Sequence, residues 1–494
     1  MRTILITLLI ISTQFSVLAQ TKTLNLTLPE VIALAQSESP DVLLATTKLT
    51  NSYWRYQSFL ADYKPRIELD ATIPNINRAI SAITLPDGQE AFVNRSFMNS
   101  TLDLQLLQPI TATGGFIFAS TGLERIDLFK TSNNPSSKSY LSAPISVGFF
   151  QPLFAHNSLK WNKRIQPIAY SESTSEYAEE MEEVAYEAAD WFFQVLIAQL
   201  NLEAAQKDKE NADTLFRISE GRFSVGKIAE TELLQIELRA LNADARVAQA
   251  NLQLQTNIEE LRNHLGIQEA VFFQLEPPST IPDFLIDAEI ALQYARLNRS
   301  LSKTFERQII EAERDVDQAN RDRFDINIRG NFGLTQQGIT LGDSYNNLLD
   351  QERFSIGVEM PIADWGKTKA EKEIANSNLE LTRMSIAQER VNFERSVLIR
   401  VQQFDLLRNQ VALSKKAYDA SIKRQNITRK RYLIGKISIT DLNIAVTEEE
   451  AARTAYIRSI RDFWMAYFDI RSLTLYDFEK QVPLVAVPEG YENN

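Results

Sequence analysis

A twelve-residue stretch that occurs twice constrains this chain more than any other feature. Arg222–Leu233 reads RFSVGKIAETEL, and Arg431–Leu442, 209 residues later, reads RYLIGKISITDL. Six of the twelve positions are identical (Arg, Gly, Lys, Ile, Thr, Leu), and Phe/Tyr, Val/Ile, Ala/Ser and Glu/Asp are conservative pairs. Each copy lies between two long helical patterns. Its glycine can take the positive φ that ends one helix before a reversal. Both stretches therefore read as tips of helical hairpins, and the chain as a tandem of two related halves.

The repeat extends outward from the tips. An offset of 209 covers both long helices and the strand end at Pro361, which answers Pro152. An offset of 259 relates the N-terminal helical segments to those after Leu285, aligning Glu30 with Glu289, Pro65 with Phe324 and RIELDA with DINIRG. The offsets differ by 50 (259 − 209), so the first half carries 50 extra residues between its first and last strands. The expected domains are a signal segment 1–19, a first repeat 20–265 and a second repeat 285–474, joined by a Pro-rich linker 266–284 and followed by a tail 475–494. Strands fall within 66–152 and 324–361, and long helical hairpins within 155–265 and 364–474.

Two periodicities alternate within each half. Ile67, Leu69, Ala71 and Ile73 interleave with Glu68, Asp70 and Thr72, the two-residue rhythm of a strand. Leu102, Leu104 and Leu106 repeat that rhythm before Pro109 and the turn signal Gly114-Gly115, followed by candidate strands at Phe116–Leu123 and Ile145–Phe150. In the second half, Ile326, Ile328, Phe332 and Leu334 share one face, and Phe354, Ile356, Val358 and Met360 make the returning strand. The helical pattern from Ser158 to Gly221 implies a helix roughly 90 Å long. Such a helix buries its apolar stripe only against equally long neighbours, and Val397, Val401, Phe404 and Val411 have the heptad spacing of a coiled-coil seam.

Composition removes several classes of function. The net charge of −12 becomes −13 without Arg2 (−12 − 1), which argues against nucleic acid as a partner. There is no cysteine, hence no disulfide framework, no thiolate metal site and no lipid-modified N-terminal Cys. His156 and His264 lack a histidine partner at ligand spacing, and no metal or cofactor is expected. Acidic pairs such as Glu179-Glu180 and the run Glu448–Glu450 sit on long helices, where charge runs form solvated faces rather than catalytic sites.

Arg2, the apolar run Ile4–Ile11 and Val17-Leu18-Ala19 read as a secretory signal. No stretch reaches 18 consecutive apolar residues, so the exported chain has no candidate transmembrane helix. The strands carry apolar faces over about 9–11 residues, the length of a tilted membrane strand. The same alternation also fits a soluble sandwich with one covered face. In lipid a sheet must close on itself, and known closed barrels need at least about eight strands. One chain supplies four strands, or six with the insertion. Closure therefore requires several copies in cyclic symmetry.

These features together resemble the TolC-like outer membrane efflux family. The likeness rests on LTLPEVIALAQSESPDV at 26–42, Gln-Pro-Leu-Phe at 151–154, the tandem strands and the two tips. The family tip pattern, aromatic-x-hydrophobic-Gly with an acid six residues on, stands as Phe223-Ser-Val-Gly226 with Glu232 and as Tyr432-Leu-Ile-Gly435 with Asp441. The resemblance implies an α+β membrane protein: a homotrimer with a twelve-stranded transmembrane β-barrel in the outer membrane and a coiled-coil α-helical barrel in the periplasm. Its tips would meet a periplasmic adaptor coupled to an inner-membrane pump, making the protein a passive gated duct and not an enzyme. Four strands per protomer are expected, with the insertion as an elaboration and six as the alternative.

A hairpin tip exposes its reversal and little else, so adaptor contact is expected at Val225, Gly226, Lys227, Ile434, Gly435 and Lys436. Relatives close the entrance with an aromatic, basic and acidic set near the second tip. Tyr432 and Asp441 match it, and Glu232 is the equivalent acid of the first tip. The usual arginine is replaced by Ile437 and a second acid by Ile444. The alternative to a duct is a periplasmic helical adaptor or scaffold, which should have one hairpin between lipoyl-like halves. This chain shows two equal repeats and membrane-type strands.

Overall fold

The computed structural model describes residues 22–84, 86–130, 135–269, 271–278, 281–282, 284–321 and 325–484. The signal segment, Phe324 and the end of the C-terminal tail lie outside them. In chain order the elements are β1 (Lys22–Leu26), α1 (Leu28–Glu38), α2 (Pro40–Ala61), β2 (Arg66–Thr84), β3 (Glu90–Ile110), β4 (Gly115–Leu128), β5 (Ser137–Leu153), α3 (Ser158–Ser224) and α4 (Glu230–His264). There follow β6 (Val271–Leu275), α5 (Ala288–Asn298), α6 (Ser300–Arg321), β7 (Asp325–Gly338), β8 (Leu349–Glu359), α7 (Lys367–Leu433), α8 (Ile439–Thr474), β9 (Tyr476–Asp477) and β10 (Val482–Pro483). The duplication is visible residue by residue: α3 and α7 are each 67 residues long, and α4 and α8 are 35 and 36.

Two compact units form, and each draws on both repeats. The first runs through Thr50, then takes Ser173–Ser302 and the chain from Val391 onward; the second takes Asn51–Glu172 and Lys303–Arg390. In the first unit the heptad positions Val397, Val401, Phe404 and Val411 are buried in one core with Val184, Ala188, Phe192 and Val195. Phe404 packs on Phe463 with ring centroids 5.0 Å apart. Alanines 185, 188 and 189 are fully buried beside these aromatics, which lets neighbouring backbones approach.

Two stretches read as linker and tail are structured. Within the linker, Val271–Leu275 pairs in parallel with β1, from Lys22↔Val271 to Leu26↔Leu275, and buries Val271, Phe273 and Leu275. Its five residues alternate, but the prolines at 277, 278 and 282 dominate the local pattern. In the tail, Tyr467 Oη donates to Asp477 Oδ1 at 2.7 Å, and the Glu479 and Lys480 amides donate to the same oxygen at 3.0 and 2.9 Å. Arg471 holds Glu182 through two bonds of 3.0 Å. These partners satisfy buried polar groups that would otherwise be costly.

The second unit holds one antiparallel sheet in the order β2-β3-β4-β5-β7-β8. The sheet has the six strands that were the alternative to four. The inserted pair β3–β4 is not an appendage but lies between β2 and β5, hydrogen-bonded to both. In the second repeat the equivalent strands, β7 and β8, pair directly. The strands are also longer than their apolar alternation, 11 to 21 residues, because polar residues continue the pairing beyond the apolar band. Register shifts fall between Thr72 and Asn75 and between Ser142 and Ile145, where Pro74 and Pro144 lack the N–H a ladder needs.

The register divides the sheet into two faces. One row crosses all six strands as Ile67–Leu106–Ala119–Val147–Phe332–Glu352, and another runs Ile117–Phe149–Gly330–Phe354. The opposite face carries Glu68–Gln105–Ser120–Ser146–Gly333–Gln351. On the apolar face Ile67, Leu104, Ile117, Ile145, Phe332 and Phe354 are 70, 42, 46, 53, 50 and 62% exposed. A soluble sandwich would cover this face with a second layer. Among the described residues nothing does. An apolar band of this extent facing outward marks an interaction surface. Among the same residues no helix is long and apolar enough to cross a membrane.

Candidate functional site

The two tips share one backbone turn. Gly226 has φ +70° and Gly435 φ +72°. The amide of Gly226 donates to Phe223 O at 2.8 Å and that of Lys227 to Arg222 O at 2.9 Å. The equivalent bonds, Gly435 to Tyr432 O and Lys436 to Arg431 O, are 2.8 and 3.0 Å. This paired closure from a left-handed residue is the Schellman pattern of a helix end. It places Val225, Gly226 and Lys227 in solvent, and Ile434, Gly435 and Lys436 likewise. Val225 and Ile434 are each 66% exposed, large apolar groups held outward at the reversal.

Behind the turns the tips meet in one small core. Leu215 and Ile236 from the first hairpin pack with Tyr432, Ile439 and Leu442 from the second, and Ile437 lies against them. Tyr432 is only 3% exposed, whereas its counterpart Phe223 is 41% exposed. The Arg222 guanidinium lies over the Tyr432 ring, 5.8 Å from its centroid. A cation thus reaches the second tip's aromatic from the other tip, while Ile437 occupies apolar packing space. Ile444 is 48% exposed.

Asp441 is the third residue of α8 and closes a capping box. Its Oδ2 accepts from the Ser438 amide at 3.1 Å and from the Ser438 hydroxyl at 2.7 Å, and its own amide donates to Ser438 Oγ at 3.2 Å. The Ser438 bonds hold the Asp441 carboxyl below the usual carboxylate range. Glu232 occupies the same place in α4, but Ala229 is the residue at the cap and offers no side-chain oxygen. Among the described residues neither acid makes an ion pair with Lys227, Lys436 or Arg431. Of the residues that matter here, sequence reading passed over Ser438 and Arg222. The first was legible in Ser438-Ile-Thr-Asp441, which has capping-box spacing; the second depends on a contact between repeats that no local pattern encodes.

Along the helices toward the core, a cavity of about 500 Å³ is lined by Asp208, Arg239, Tyr418, Glu450 and Arg453 among others. Arg239 binds Asp208 at 3.1 Å, and Arg246 lies 3.5 Å from Asp208 and 3.8 Å from Glu450. Burial, and then Asp208 nearby, push the Glu450 carboxyl up. Glu448 pairs with Arg424, Glu180 with Lys48, and Glu179 with Arg299 at 3.3 Å. Each of these carboxylates thus has a cationic partner from a distant part of the chain or a neighbouring helix.

Comparison with known proteins accords with this architecture. The model of the outer membrane efflux protein family matches residues 118–267 and 293–466, most of the chain. The chain belongs to that family. It is an outer-membrane efflux channel that extends into the periplasm. The outer membrane channel CmeC of Campylobacter jejuni is similar in structure at TM-score 0.65 and 16% identity, covering 92% of this chain and 87% of its own. The open state of the Neisseria gonorrhoeae channel MtrE gives 0.60 and 14%, covering 90% and 88%. Vibrio cholerae VceC gives 0.58 and 13%, covering 91% and 95%. No curated protein matches the sequence.

Proposed function

We propose that three copies of this chain form the passive exit duct of a tripartite efflux or secretion system, with the paired tips as the docking end for a periplasmic adaptor. Through that adaptor the duct couples to an inner-membrane pump, which supplies the energy; the duct itself performs no catalysis and needs no cofactor. The observation that carries the reading is the pair of tips. Two stretches 209 residues apart build the same left-handed turn and hold Val225 and Ile434 outward to the same extent. A partner approaching end-on meets Val225-Gly226-Lys227 and Ile434-Gly435-Lys436 together. Tyr432, reinforced by Arg222, and the acids Glu232 and Asp441 lie just behind and form the entrance.

The test is replacement of each tip glycine by valine. A Cβ at Gly226 or Gly435 meets nothing within 4 Å, so the cost is backbone strain alone, about 1–2 kcal/mol. Transport and adaptor cross-linking should fall while a detergent-stable trimer still sediments with outer membranes. Unchanged efflux and unchanged cross-linking in both variants would refute docking at the tips, and a soluble monomer would refute the duct itself.

A further inference from the structure

We infer that the assembled barrel closes at 18 strands (3 × 6), not at the twelve that four strands per protomer would give. The inference rests on the trimeric duct proposed above and deepens it. Its ground is where the extra hairpin sits. β2 and β5 are the first repeat's counterparts of β7 and β8, yet they do not touch each other. β3 and β4 stand between them, each joined to its neighbours by a ladder of twelve or more residue pairs. A barrel that contains both β2 and β5 must therefore contain β3 and β4.

The inserted strands carry the same chemistry as the rest of the sheet. Leu102, Leu104 and Leu106 of β3 and Ile117 and Ala119 of β4 continue the apolar face, and Gln105 and Ser120 continue the polar one. Their packing is built in as well. The Phe118 ring fills the space over Gly148, where a side chain would collide with it and with Gly330 O. The β3–β4 turn is fastened at three points: Gln151 Nε2 donates to Thr113 O at 3.2 Å, Asn157 Nδ2 to Thr111 O at 2.9 Å, and Gln108 Nε2 to Tyr63 O at 3.1 Å. Gln108 and Gln151 also make the same bond to the carbonyl of the following proline, at 2.8 and 2.7 Å. The insertion thus repeats the strand-ending device of the host strand.

Closure is stereochemically consistent. Among the described residues β2 and β8 have one neighbour each, leaving two open edges. Six antiparallel strands make an even number, so β8 of one copy runs antiparallel to β2 of the next and the alternation continues across the junction. Unpaired edges cannot persist in lipid, so the occupant of each edge is a second copy of this chain. Barrel diameter grows roughly in proportion to strand number, so 18 strands give a diameter about 1.5-fold and a cross-section roughly twofold those of a twelve-stranded barrel.

The natural chain has no cysteine, so single cysteines report one site each. Spin labels at Leu104 and Ile117, in the insertion, are compared with labels at Val147 and Phe354 on the trimer in lipid vesicles. All four should collide more with oxygen than with a water-soluble nickel chelate, as lipid-facing positions do. If Leu104 and Ile117 report water while Val147 and Phe354 report lipid, the 18-stranded barrel is overturned and the duct stands. If all four report water, the duct reading fails with it. Electron cryomicroscopy of the trimer in nanodiscs should count 18 strands; twelve would overturn the inference even if the labelled variants were poorly folded.

Discussion

The first and second tips have the same backbone and different support. Their glycines differ by 2° in φ, and their closing hydrogen bonds by no more than 0.1 Å. Of the residues at this turn, Arg, Gly and Lys are identical in the two stretches and the aromatic is conservatively exchanged. What differs is how each turn is held. The second has a serine cap, an aspartate that completes the box and a buried aromatic. The first has an alanine at the cap and a half-exposed phenylalanine. Turn geometry and turn rigidity are thus separately encoded. We expect the second tip to be the fixed member of the pair and the first the more easily opened one.

The largest effect should come from the aromatics. Tyr432→Ala empties a buried position in the small core shared by both tips and should cost about 3–5 kcal/mol locally. Phe223→Ala, at a half-exposed position, should cost at most about 1 kcal/mol. Amide hydrogen exchange across 215–236 and 432–446 measures both. Equal losses of protection in the two variants would break the proposed asymmetry. Because the core is shared, Tyr432→Ala should deprotect the first tip as well, around Leu215 and Ile236.

How much of this was readable beforehand follows the range of each interaction. The tips, the long helices and the two halves were legible, because a glycine at a helix end and a heptad stripe are local signals. The Ser438–Asp441 cap was equally local and could have been read. The burial of Tyr432 against Leu215 and Ile236 was not, since it joins residues some 200 positions apart. The choice between four and six strands stayed open for a related reason. The alternation at Leu102–Leu106 was visible, but β2 and β3 continue together to Thr84↔Glu90 through polar residues such as Arg78, Asn94 and Ser96, where alternation of apolar groups ceases. Whether an inserted hairpin hangs from a sheet or enters it is decided by hydrogen bonds to distant strands. β6 was obscured by nearby prolines.

A smaller effect should sharpen the comparison by exchanging the caps. Ser438→Ala removes the side-chain acceptor for the Asp441 amide and should cost about 1 kcal/mol at the start of α8. Ala229→Ser should add a comparable amount at the start of α4, where Glu232 already stands three residues on to complete a box. The amides of Asp441 and Glu232 report the two changes in opposite directions. Protection at Glu232 that does not rise in Ala229→Ser would show that something other than the cap separates the tips.

Acid should weaken the second tip. The carboxyl of Asp441 is depressed in the folded state by its bonds from Ser438. A depressed folded value gives a contribution that is complete above the unfolded aspartate value of about 3.9 and is lost as pH falls through the folded one. Exchange at the start of α8 should therefore accelerate, relative to the start of α4, below about pH 4. Ser438→Ala should abolish that difference. Its persistence in the variant would assign the acid response to another group.

The smallest effect expected is on ion selectivity. In the proposed trimer, three chains converging at their tips would bring three copies each of Glu232 and Asp441 around the entrance, and a ring of carboxylates favours cations. Asp441→Ala cannot test this alone, because it removes the cap together with the charge. Asp441→Asn keeps an oxygen for the Ser438 bonds and removes only the charge, and Glu232→Gln disturbs no cap. In planar bilayers the trimer should be modestly cation-selective, each neutral amide should reduce that selectivity, and the double variant should reduce it further. If Asp441→Ala changes gating while the Asn and Gln variants leave selectivity untouched, Asp441 serves the second tip as a cap and the carboxylates do not line the path. The asymmetry between the tips would then be structural alone.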